Sequence, residues 1–288
     1  MSVSIPVMKF GGVTLQGINR FGPDEERLLD ECHRQRNLTD MYRLLAQRRN
    51  LARAHRLEEV ADDFIKPLCS VDCTPVVVVS AFDWATDKLE QLAASLSSDP
   101  DPREYARLLM SGELRANAAL AIALVESGFK ARSLTGREAG IVTDKRHVGA
   151  LVERCEIGHV KNLLERQIVP VVAGFQGYYW DDAEQKDEVS ILGRGGSNLT
   201  AVALADALDQ PECIMFTNVD GIYDKDPNKY ADATKISEIT ATELLKWDPF
   251  PQVIQKEAVE YAVERGVDIW IRDGFDANKP GTLIRCRK

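Results

Sequence analysis

Two glycine-rich turns contain the residues of this chain that are best suited to chemistry. The first is Lys9-Phe10-Gly11-Gly12, at the end of a short apolar run, and the second is Gly193-Arg194-Gly195-Gly196-Ser197. Glycines let backbone N–H groups approach a phosphate closely, and Lys9 supplies a point charge for a transferring phosphoryl group. A tight turn after a strand, with a solvated lysine, would show the same pattern.

The second turn precedes an Ala/Leu-rich stretch that predicts a helix from Ser197 to Leu208. The N-terminus of a helix binds anions through its free N–H groups and its dipole. Arg194 adds a planar fork suited to a carboxylate. The alternative is a simple loop in which Ser197 or Asn198 caps the helix. Together, the two turns predict a site for ATP and a carboxylate.

Two further segments could complete such a site. The run T-N-V-D-G-I-Y at 217 to 223, followed by Asp226, predicts a strand end, a turn and an aromatic residue. That arrangement can hold adenine and ribose beyond the carboxyl end of a strand, although a structural Asx turn is the alternative. Glu113 lies in S-G-E at 111 to 113, which we expect to interrupt a helix. It could accept hydrogen bonds from a substrate ammonium, but an exposed helical glutamate would look the same.

Several other kinds of site have little support. Gly12 to Gly17 has the spacing of a Walker loop, but Ile18 stands where that motif needs lysine, and no G-x-G-x-x-G follows a strand. The six cysteines form no Cys-x-x-Cys pair, which disfavours zinc sites and disulfide scaffolds. We therefore expect no metal site built from protein ligands.

Composition narrows the class of protein. The net charge of −9 argues against broad nucleic-acid binding. No apolar segment approaches the length of a membrane span, and no secretory leader pattern stands at the N-terminus. With 44% hydrophobic and 28% charged residues, the chain is expected to be globular and cytoplasmic.

Predicted strands and helices alternate along the chain, which indicates an α/β sandwich with a largely parallel sheet. The main predicted strands are Val3 to Phe10, Pro75 to Ala81, Val169 to Gly174 and Cys213 to Asn218, and the main helices are Thr86 to Leu96, Arg103 to Glu126 and Ser197 to Leu208. Tyr178 to Val189 is typical of an exposed hairpin or flap. Asp24 to Leu68 is charged and helical, and its arginines, Arg56 among them, predict a solvated helix face or else a partner surface.

Taken in order from Val7 to Ile284, these segments resemble the aspartokinases of the amino-acid kinase superfamily. The matching motifs are K-F-G-G at 9 to 12, V-V-V-V-S-A at 76 to 81 with Thr86-Asp87, S-G-E at 111 to 113, T-G-R-E-A-G-I-V-T-D at 135 to 144, V-P-V-V-A-G-F-Q-G at 169 to 177, L-G-R-G-G-S at 192 to 197, T-N-V-D-G-I-Y at 217 to 223 and Gly281-Thr282.

The resemblance implies one amino-acid kinase domain over residues 1–288, folded as a three-layer sandwich. Residues 1–172 would form the amino-acid lobe, with a helical insertion near 24–68, and residues 173–288 the ATP lobe. It also implies ATP as phosphoryl donor, Mg²⁺ carried by the nucleotide, and a homodimer. The C-terminal ACT modules of the family would be missing, so feedback inhibition through them is not expected.

The resemblance further assigns roles to individual residues. Lys9 would stabilise the transferring phosphoryl group. The amino-acid substrate would be bound by Thr86, Glu113, Arg194 and Ser197, and ATP by Lys9, Gly11, Gly12, Gly195, Gly196, Thr217, Asn218, Tyr223, Asp226 and Gln252.

Several residues depart from the family pattern. Asn198 stands where the catalytic aspartate of G-R-G-G-S-D is expected, and Gln252 where a lysine contacts ATP. The other departures are Gln255-Lys256 for His-Pro, Asn218 for aspartate, Asn228 for arginine and Val13-Thr14 for Thr-Ser. Losing one charged phosphate contact can cost on the order of 2 to 4 kcal/mol of transition-state stabilisation.

Three hypotheses follow. The chain phosphorylates the side-chain carboxylate of aspartate or a close analogue, it acts on another amino or carboxylic acid, or it is a silent ligand-binding paralogue that partners an active kinase.

Overall fold

A computed structural model of the chain describes residues 5–16, 56–69, 73–82, 84–225, 227 and 229–287. The strands are β1 (Val7–Phe10), β2 (Val76–Val79), β3 (Ala131–Leu134), β4 (Ile141–Thr143), β5 (Val148–Ala150), β6 (Val152–Cys155), β7 (Val169–Ala173), β8 (Gln176–Asp181), β9 (Lys186–Leu192), β10 (Glu212–Thr217), β11 (Ile222–Tyr223), β12 (Lys235–Ile236), β13 (Glu238–Thr240), β14 (Asp268–Asp273) and β15 (Thr282–Arg285). The α-helices are α1 (Gly12–Gln16), α2 (Ala85–Leu96), α3 (Pro102–Glu126), α4 (Gly158–Glu165), α5 (Gly196–Ala207), α6 (Ala241–Leu244) and α7 (Lys256–Arg265).

An eight-stranded sheet forms the centre of the molecule, in the order β13-β15-β14-β10-β1-β2-β7-β3. Its neighbouring strands are parallel except for the antiparallel pair β14 and β15. Strands covered on both faces need apolar side chains at every position, which explains the run of four buried valines in β2. The prediction of an α/β fold with a largely parallel sheet is confirmed.

Helices cover both faces of this sheet and complete a three-layer sandwich. Because side chains alternate along a strand, Val76 and Val78 of β2 face the layer that contains α4, α5 and α7. Val77 and Val79 face the opposite layer, which contains α3 and the helical residues 56–68. The two apolar cores therefore lie on opposite sides of one sheet.

A second, five-stranded sheet has the order β5-β9-β8-β4-β6 and mixes parallel with antiparallel pairs. The hairpin predicted at 178 to 189 is present as β8 and β9, and it is the longest part of this sheet. The short strands β5 and β6 were not predicted, because three or four residues show too little alternation to mark a strand.

The helix α3 differs from the sequence prediction in two ways. It runs without interruption through Ser111-Gly112-Glu113, so the predicted break there is wrong. A Cβ atom on Gly112 would lie 2.9 Å from the Cβ of Ala81, so this glycine lets α3 approach the end of β2. α3 is also long and apolar enough to cross a membrane, contrary to expectation, but half of that stretch is buried, and α3 packs on β3 and β7.

Of the predicted helical region 24–68, residues 24–55 lie outside the described residues. The described part, which we call segment 56–68, continues from an α-helical turn into the π-helix Val60–Ile65 and the 3-10 turn Lys66–Leu68. The expectation that Arg56 lies on a solvated helix face is wrong, since its side chain is 4% exposed.

Candidate active site

A cleft of about 480 Å³ lies at the carboxyl ends of β1, β2 and β10. Parallel strands end at the same edge of a sheet, and loops from separate parts of the chain therefore meet there. Among the predicted site residues, the cleft is lined by Lys9, Gly11, Gly12, Thr86, Glu113, Arg194, Gly195, Gly196, Ser197, Asn198, Thr217 and Asn218. Tyr223 and Gln252 do not line it, and Asp226 lies outside the described residues.

Lys9 occupies the third position of β1, and its side chain is buried. No hydrogen bond joins its ammonium to any residue that the structure describes. Burial lowers the pKa of Lys9 to about 8, because the charged form loses its hydration. A buried cation without a partner is costly, so an anion in the cleft would satisfy it.

The turn after Lys9 is fixed by hydrogen bonds to its neighbours. The Gly11 N–H donates to the carbonyl of Phe216 at 3.1 Å, which ties the turn to β10. The Thr14 hydroxyl donates to the Gly11 carbonyl at 2.7 Å. A Cβ atom on Gly11 would lie 3.5 Å from the Lys9 Nζ, so glycine keeps the space beside the ammonium open.

Glu113 projects from the inner face of α3 and is almost fully buried. Its Oε1 accepts a hydrogen bond from the Ala81 N–H at 3.1 Å, whereas its buried Oε2 has no partner within the described chain. Burial raises the pKa of Glu113 to about 7. A ligand ammonium at Oε2 would favour the carboxylate form and supply the missing hydrogen bond. The exposed helical glutamate that the sequence left open is excluded.

The second turn begins α5 with glycine at the cap position. Gly195 adopts φ +75°, and no side chain caps the helix, so the alternative in which Ser197 or Asn198 is the cap is excluded. Both residues instead lie buried in the first turn of α5. Arg194 is exposed to the cleft, and its guanidinium bonds none of the described residues. An uncapped helix start beside a free arginine suits an anionic group.

Gln255 is a cleft residue that sequence reasoning did not assign to the site. The Asn198 side-chain amide donates to the Gln255 Oε1 at 2.6 Å, while the buried Asn198 Oδ1 lacks a partner in the described part of the chain. A Cβ atom on Gly195 would lie 2.3 Å from the Gln255 Cγ, so the glutamine packs directly against the second turn. The available signal was that Asn198 and Gln255 both depart from the family pattern.

The end of β10 forms another wall of the cleft. The Thr217 hydroxyl donates to the Val219 carbonyl at 2.8 Å, which shapes the turn that follows β10. Tyr223 lies farther along the chain, and its hydroxyl donates to Asp220 at 2.9 Å. Lys235 also contacts Asp220, at 3.3 Å. Tyr223 is thus part of a polar cluster whose members do not line the cleft.

Further cleft residues were not assigned to the site from the sequence, although Asp87 and Phe175 lie within motifs of the family resemblance. Tyr105 and Leu109 of α3 and Phe175 between β7 and β8 form apolar walls. Asp87 and Glu90 of α2 add carboxylates. Tertiary packing brings these residues together, and the spacing of residues along the chain does not show which of them will meet.

The cleft contains groups of both charge types. Lys9 and Arg194 are cations without described partners, and Glu113 is a buried carboxyl with one open oxygen. A ligand that carries both anionic groups and an ammonium would complement all three. Lys9 lies beside the glycines of the first turn, where backbone and ammonium could neutralise a phosphoryl group.

Known proteins with similar sequences are aspartokinases, in agreement with the motifs of the cleft. The chain is 39% identical over 214 residues to the aspartokinase of Helicobacter pylori strain 26695, which covers 74% of this chain and 51% of that protein. It is 36% identical over 237 residues to the aspartokinase of Mycolicibacterium smegmatis, covering 82% of this chain and 55% of that protein. The chain thus spans about half the length of the curated relatives it matches.

Solved structures show a related fold. The aspartate kinase from Synechocystis superimposes with a TM-score of 0.72 at 31% identity, over 98% of this chain and 40% of that one. Aspartokinase III of E. coli gives a TM-score of 0.71 at 20% identity, over 99% of this chain and 65% of that one. The Amino acid kinase family matches residues 5–279. With the motifs, the sandwich fold and this match in agreement, the chain belongs to the amino acid kinase family.

Proposed function

We propose that this chain transfers the γ-phosphoryl group of ATP to the side-chain carboxylate of L-aspartate or a close analogue and forms an acyl phosphate. The observation that carries the proposal is the presence of Lys9, Arg194 and Glu113 in one cleft, each with an open polar group. The similarity to curated aspartokinases supports the same substrate class.

The amino-acid half of the cleft would be formed by α2, α3 and the second turn. Glu113 would accept the substrate ammonium at its open Oε2. Arg194 would bind the α-carboxylate, with Thr86 and Ser197 as hydroxyl donors at its sides. Binding both ends of the amino acid would direct its side-chain carboxylate toward Lys9.

The phosphoryl half needs no general base. A side-chain carboxylate has a pKa of about 4 and is already a nucleophile at neutral pH. Catalysis would then consist of in-line positioning and neutralisation of charge. Lys9, the two glycine turns and Asn198 would hold the phosphates, and Mg²⁺ would enter with the nucleotide.

The rest of the nucleotide would extend along the end of β10. Thr217 and Asn218 line the cleft there, and Tyr223 lies in the polar cluster beyond it. Asp226 keeps the role that the family resemblance implies. Gln255, which lines the cleft, is a better candidate for a phosphate contact than Gln252, which is exposed.

The division into an amino-acid lobe up to about residue 172 and an ATP lobe beyond it remains part of the proposal. In the central sheet, β2, β7 and β3 lie on one side of β1, and β10, β14, β15 and β13 lie on the other. The proposed substrate and nucleotide halves of the cleft follow the same division.

One observation favours a second candidate, a silent ligand-binding paralogue. Asn198 is bonded to Gln255, and the first turn of α5 contains no acidic residue, so this turn offers no carboxylate to orient Lys9. Such a protein would bind nucleotide and amino acid without transferring phosphate.

A hydroxamate assay separates these functions. The purified chain is incubated with MgATP, hydroxylamine and one acid at a time, including aspartate, glutamate and succinate, and hydroxamate is measured beside ADP. Aspartate-dependent hydroxamate supports the proposal, and succinate tests the need for an ammonium. Nucleotide binding without hydroxamate from any acid would favour the silent paralogue.

A further inference from the structure

Arg56 is a buried arginine close to the cleft, and it has no part in the chemistry described above. It begins segment 56–68, and its side chain is among the most buried charged groups in the described part of the chain. Isolated buried charges are strongly unfavourable, so the surroundings of this guanidinium must compensate it.

The compensation comes from two backbone carbonyls, one carboxylate and two aromatic rings. The Arg56 Nε donates to the Thr14 carbonyl at 2.7 Å, and its Nη2 donates to the Gly274 carbonyl. Its Nη1 pairs with Glu59 at 2.8 Å. The guanidinium also lies 4.8 Å from the ring centroid of Phe275 and 5.5 Å from that of Phe64.

These bonds connect Arg56 to the first glycine turn. Thr14 belongs to α1, a helix of five residues whose last carbonyls have no partner within the helix. Arg56 binds one of those carbonyls, while the hydroxyl of the same threonine holds the Gly11 carbonyl at 2.7 Å. The position of the turn beside Lys9 therefore depends on Thr14, and the position of Thr14 depends on Arg56.

The second carbonyl connects the same arginine to the end of β10. The Gly274 N–H donates to the Thr217 carbonyl at 2.7 Å. A Cβ atom on Gly274 would lie 2.3 Å from the Thr14 Cγ2, so the two loops are in direct contact. One guanidinium thus fixes the distance between the first glycine turn and the loop at Gly274, which supports the end of β10.

We propose that Arg56 is a positioning residue for the nucleotide: it sets the Lys9 turn against the end of β10 so that both can hold the phosphates of MgATP. This inference rests on the proposed function for its ligand. The planar fork of arginine is required, because two carbonyls from separate loops must be bound by adjacent N–H groups. A lysine supplies one point charge and cannot hold both at once.

The test compares Arg56→Lys and Arg56→Ala with the wild-type chain. MgADP affinity is measured by calorimetry, and KM for ATP and for aspartate is measured with the hydroxamate assay. Arg287→Met is the matched control, because Arg287 also pairs with a carboxylate, that of Asp268 at 2.7 Å, but at the start of β14, the end of the sheet opposite the cleft. Thermal unfolding of every variant reports stability separately.

We expect Arg56→Lys to fold and to bind MgADP about tenfold more weakly, the order of effect for one lost hydrogen bond to a charged group. KM for ATP rises in proportion and KM for aspartate stays within about twofold, because the two carbonyls that Arg56 binds lie on the proposed nucleotide side of the cleft. Millimolar guanidinium restores MgADP affinity to Arg56→Ala. Arg287→Met loses stability but keeps both KM values.

The inference would be overturned if the wild-type chain and Arg56→Lys bind MgADP with equal affinity. It would also be overturned if Arg287→Met loses as much MgADP affinity as Arg56→Lys, because the loss would then follow thermal stability alone. Absence of hydroxamate from the wild-type chain would instead refute the proposed function, while the affinity comparison would still decide the role of Arg56. A wild-type chain that binds no MgADP overturns both.

Discussion

Lys9, Glu113 and Asn198 each keep a buried polar group without a partner among the described residues. Leaving a buried donor or acceptor unpaired costs about 1 to 3 kcal/mol, and more for a charged group. A protein retains such groups where a ligand completes them, and all three line the same cleft. The site is therefore arranged for a ligand with several polar groups rather than for an apolar molecule.

Replacing Lys9 by methionine should abolish most of the phosphoryl transfer. The substitution removes the buried cation that would neutralise the phosphoryl group, so kcat should fall by about 100-fold to 1000-fold. Hydroxamate formation with MgATP and aspartate measures the effect. Lys66→Met, which changes an exposed lysine of segment 56–68, is the matched control and should retain full activity. Near-normal activity of Lys9→Met would contradict the assignment.

The pKa values of Glu113 and Lys9 predict a narrow pH optimum for the free enzyme. Glu113 becomes a carboxylate as pH rises through about 7, so kcat/KM for aspartate should increase across that value. Lys9 loses its charge as pH rises through about 8, so kcat/KM for ATP should decrease above it.

Glu113→Gln removes the group behind the acidic limb. The variant should bind aspartate more weakly, and its kcat/KM for aspartate should lose the rise through about pH 7 while the fall in kcat/KM for ATP remains. Initial rates are measured at limiting aspartate and at limiting ATP over roughly pH 5 to 10. Each profile should follow the titration of about one group, so the two limbs can be separated. An unchanged acidic limb in Glu113→Gln would show that another group titrates there.

At the scale of elements, the contact between α5 and the start of α7 is where this site departs from the pattern of the family. Asn198 in the first turn of α5 donates to Gln255, the residue just before α7, at 2.6 Å. Both helices point their N-termini at the cleft, and the two amides meet beside Gly195. A neutral pair thus stands where the family resemblance leads one to expect an aspartate and a histidine.

The pair predicts coupled effects of substitution. Gln255→Ala should raise KM for ATP, because it removes a cleft residue that packs on the second turn. The coupling energy between Asn198→Ala and Gln255→Ala should be about 1 kcal/mol, as for residues in direct contact. Gln252→Ala, an exposed position outside the cleft lining, is the matched control and should leave KM unchanged. Additive effects at Asn198 and Gln255 would contradict a functional pair.

Local pattern was enough to predict the central elements. The buried strand β2 and the helices α3 and α5 follow from continuous apolar runs and helix-forming composition, and Lys9 and Arg194 follow from glycine turns next to them. Arg56 and Gln255 could not be predicted, because their partners lie 42 and 57 residues away in the chain. Their roles depend on which loops the sheet brings together, and residue spacing does not carry that information.

At the scale of the whole molecule, the cleft connects the two sides of the central sheet. β1 lies in the middle, with β2 on one side and β10 on the other, and each of the three strands ends at the cleft. A ligand bound across these ends contacts both sides at once. Binding should therefore stabilise the entire fold against unfolding, since it favours the native state alone.

MgADP should raise the unfolding temperature of the wild-type chain. At a concentration of about 100 times Kd, the stabilisation expected from mass action is about 2.7 kcal/mol. The shift should be much smaller in Lys9→Met and should keep its full size in Lys66→Met. Thermal unfolding followed by circular dichroism measures it. Equal shifts in all three chains would place the nucleotide outside this cleft.

The central claim is that a substrate carboxylate attacks the γ-phosphoryl group in this cleft, and isotope transfer tests it most directly. Aspartate labelled with heavy oxygen in its side-chain carboxylate is incubated with the chain, MgATP and hydroxylamine, and the released phosphate is analysed by mass spectrometry. Hydroxylamine attacks the carbonyl carbon of an acyl phosphate, so the bridging oxygen leaves with the phosphate. Labelled phosphate, in step with hydroxamate, is the predicted result. Release of unlabelled phosphate alone would mean that water is the nucleophile and would contradict the account.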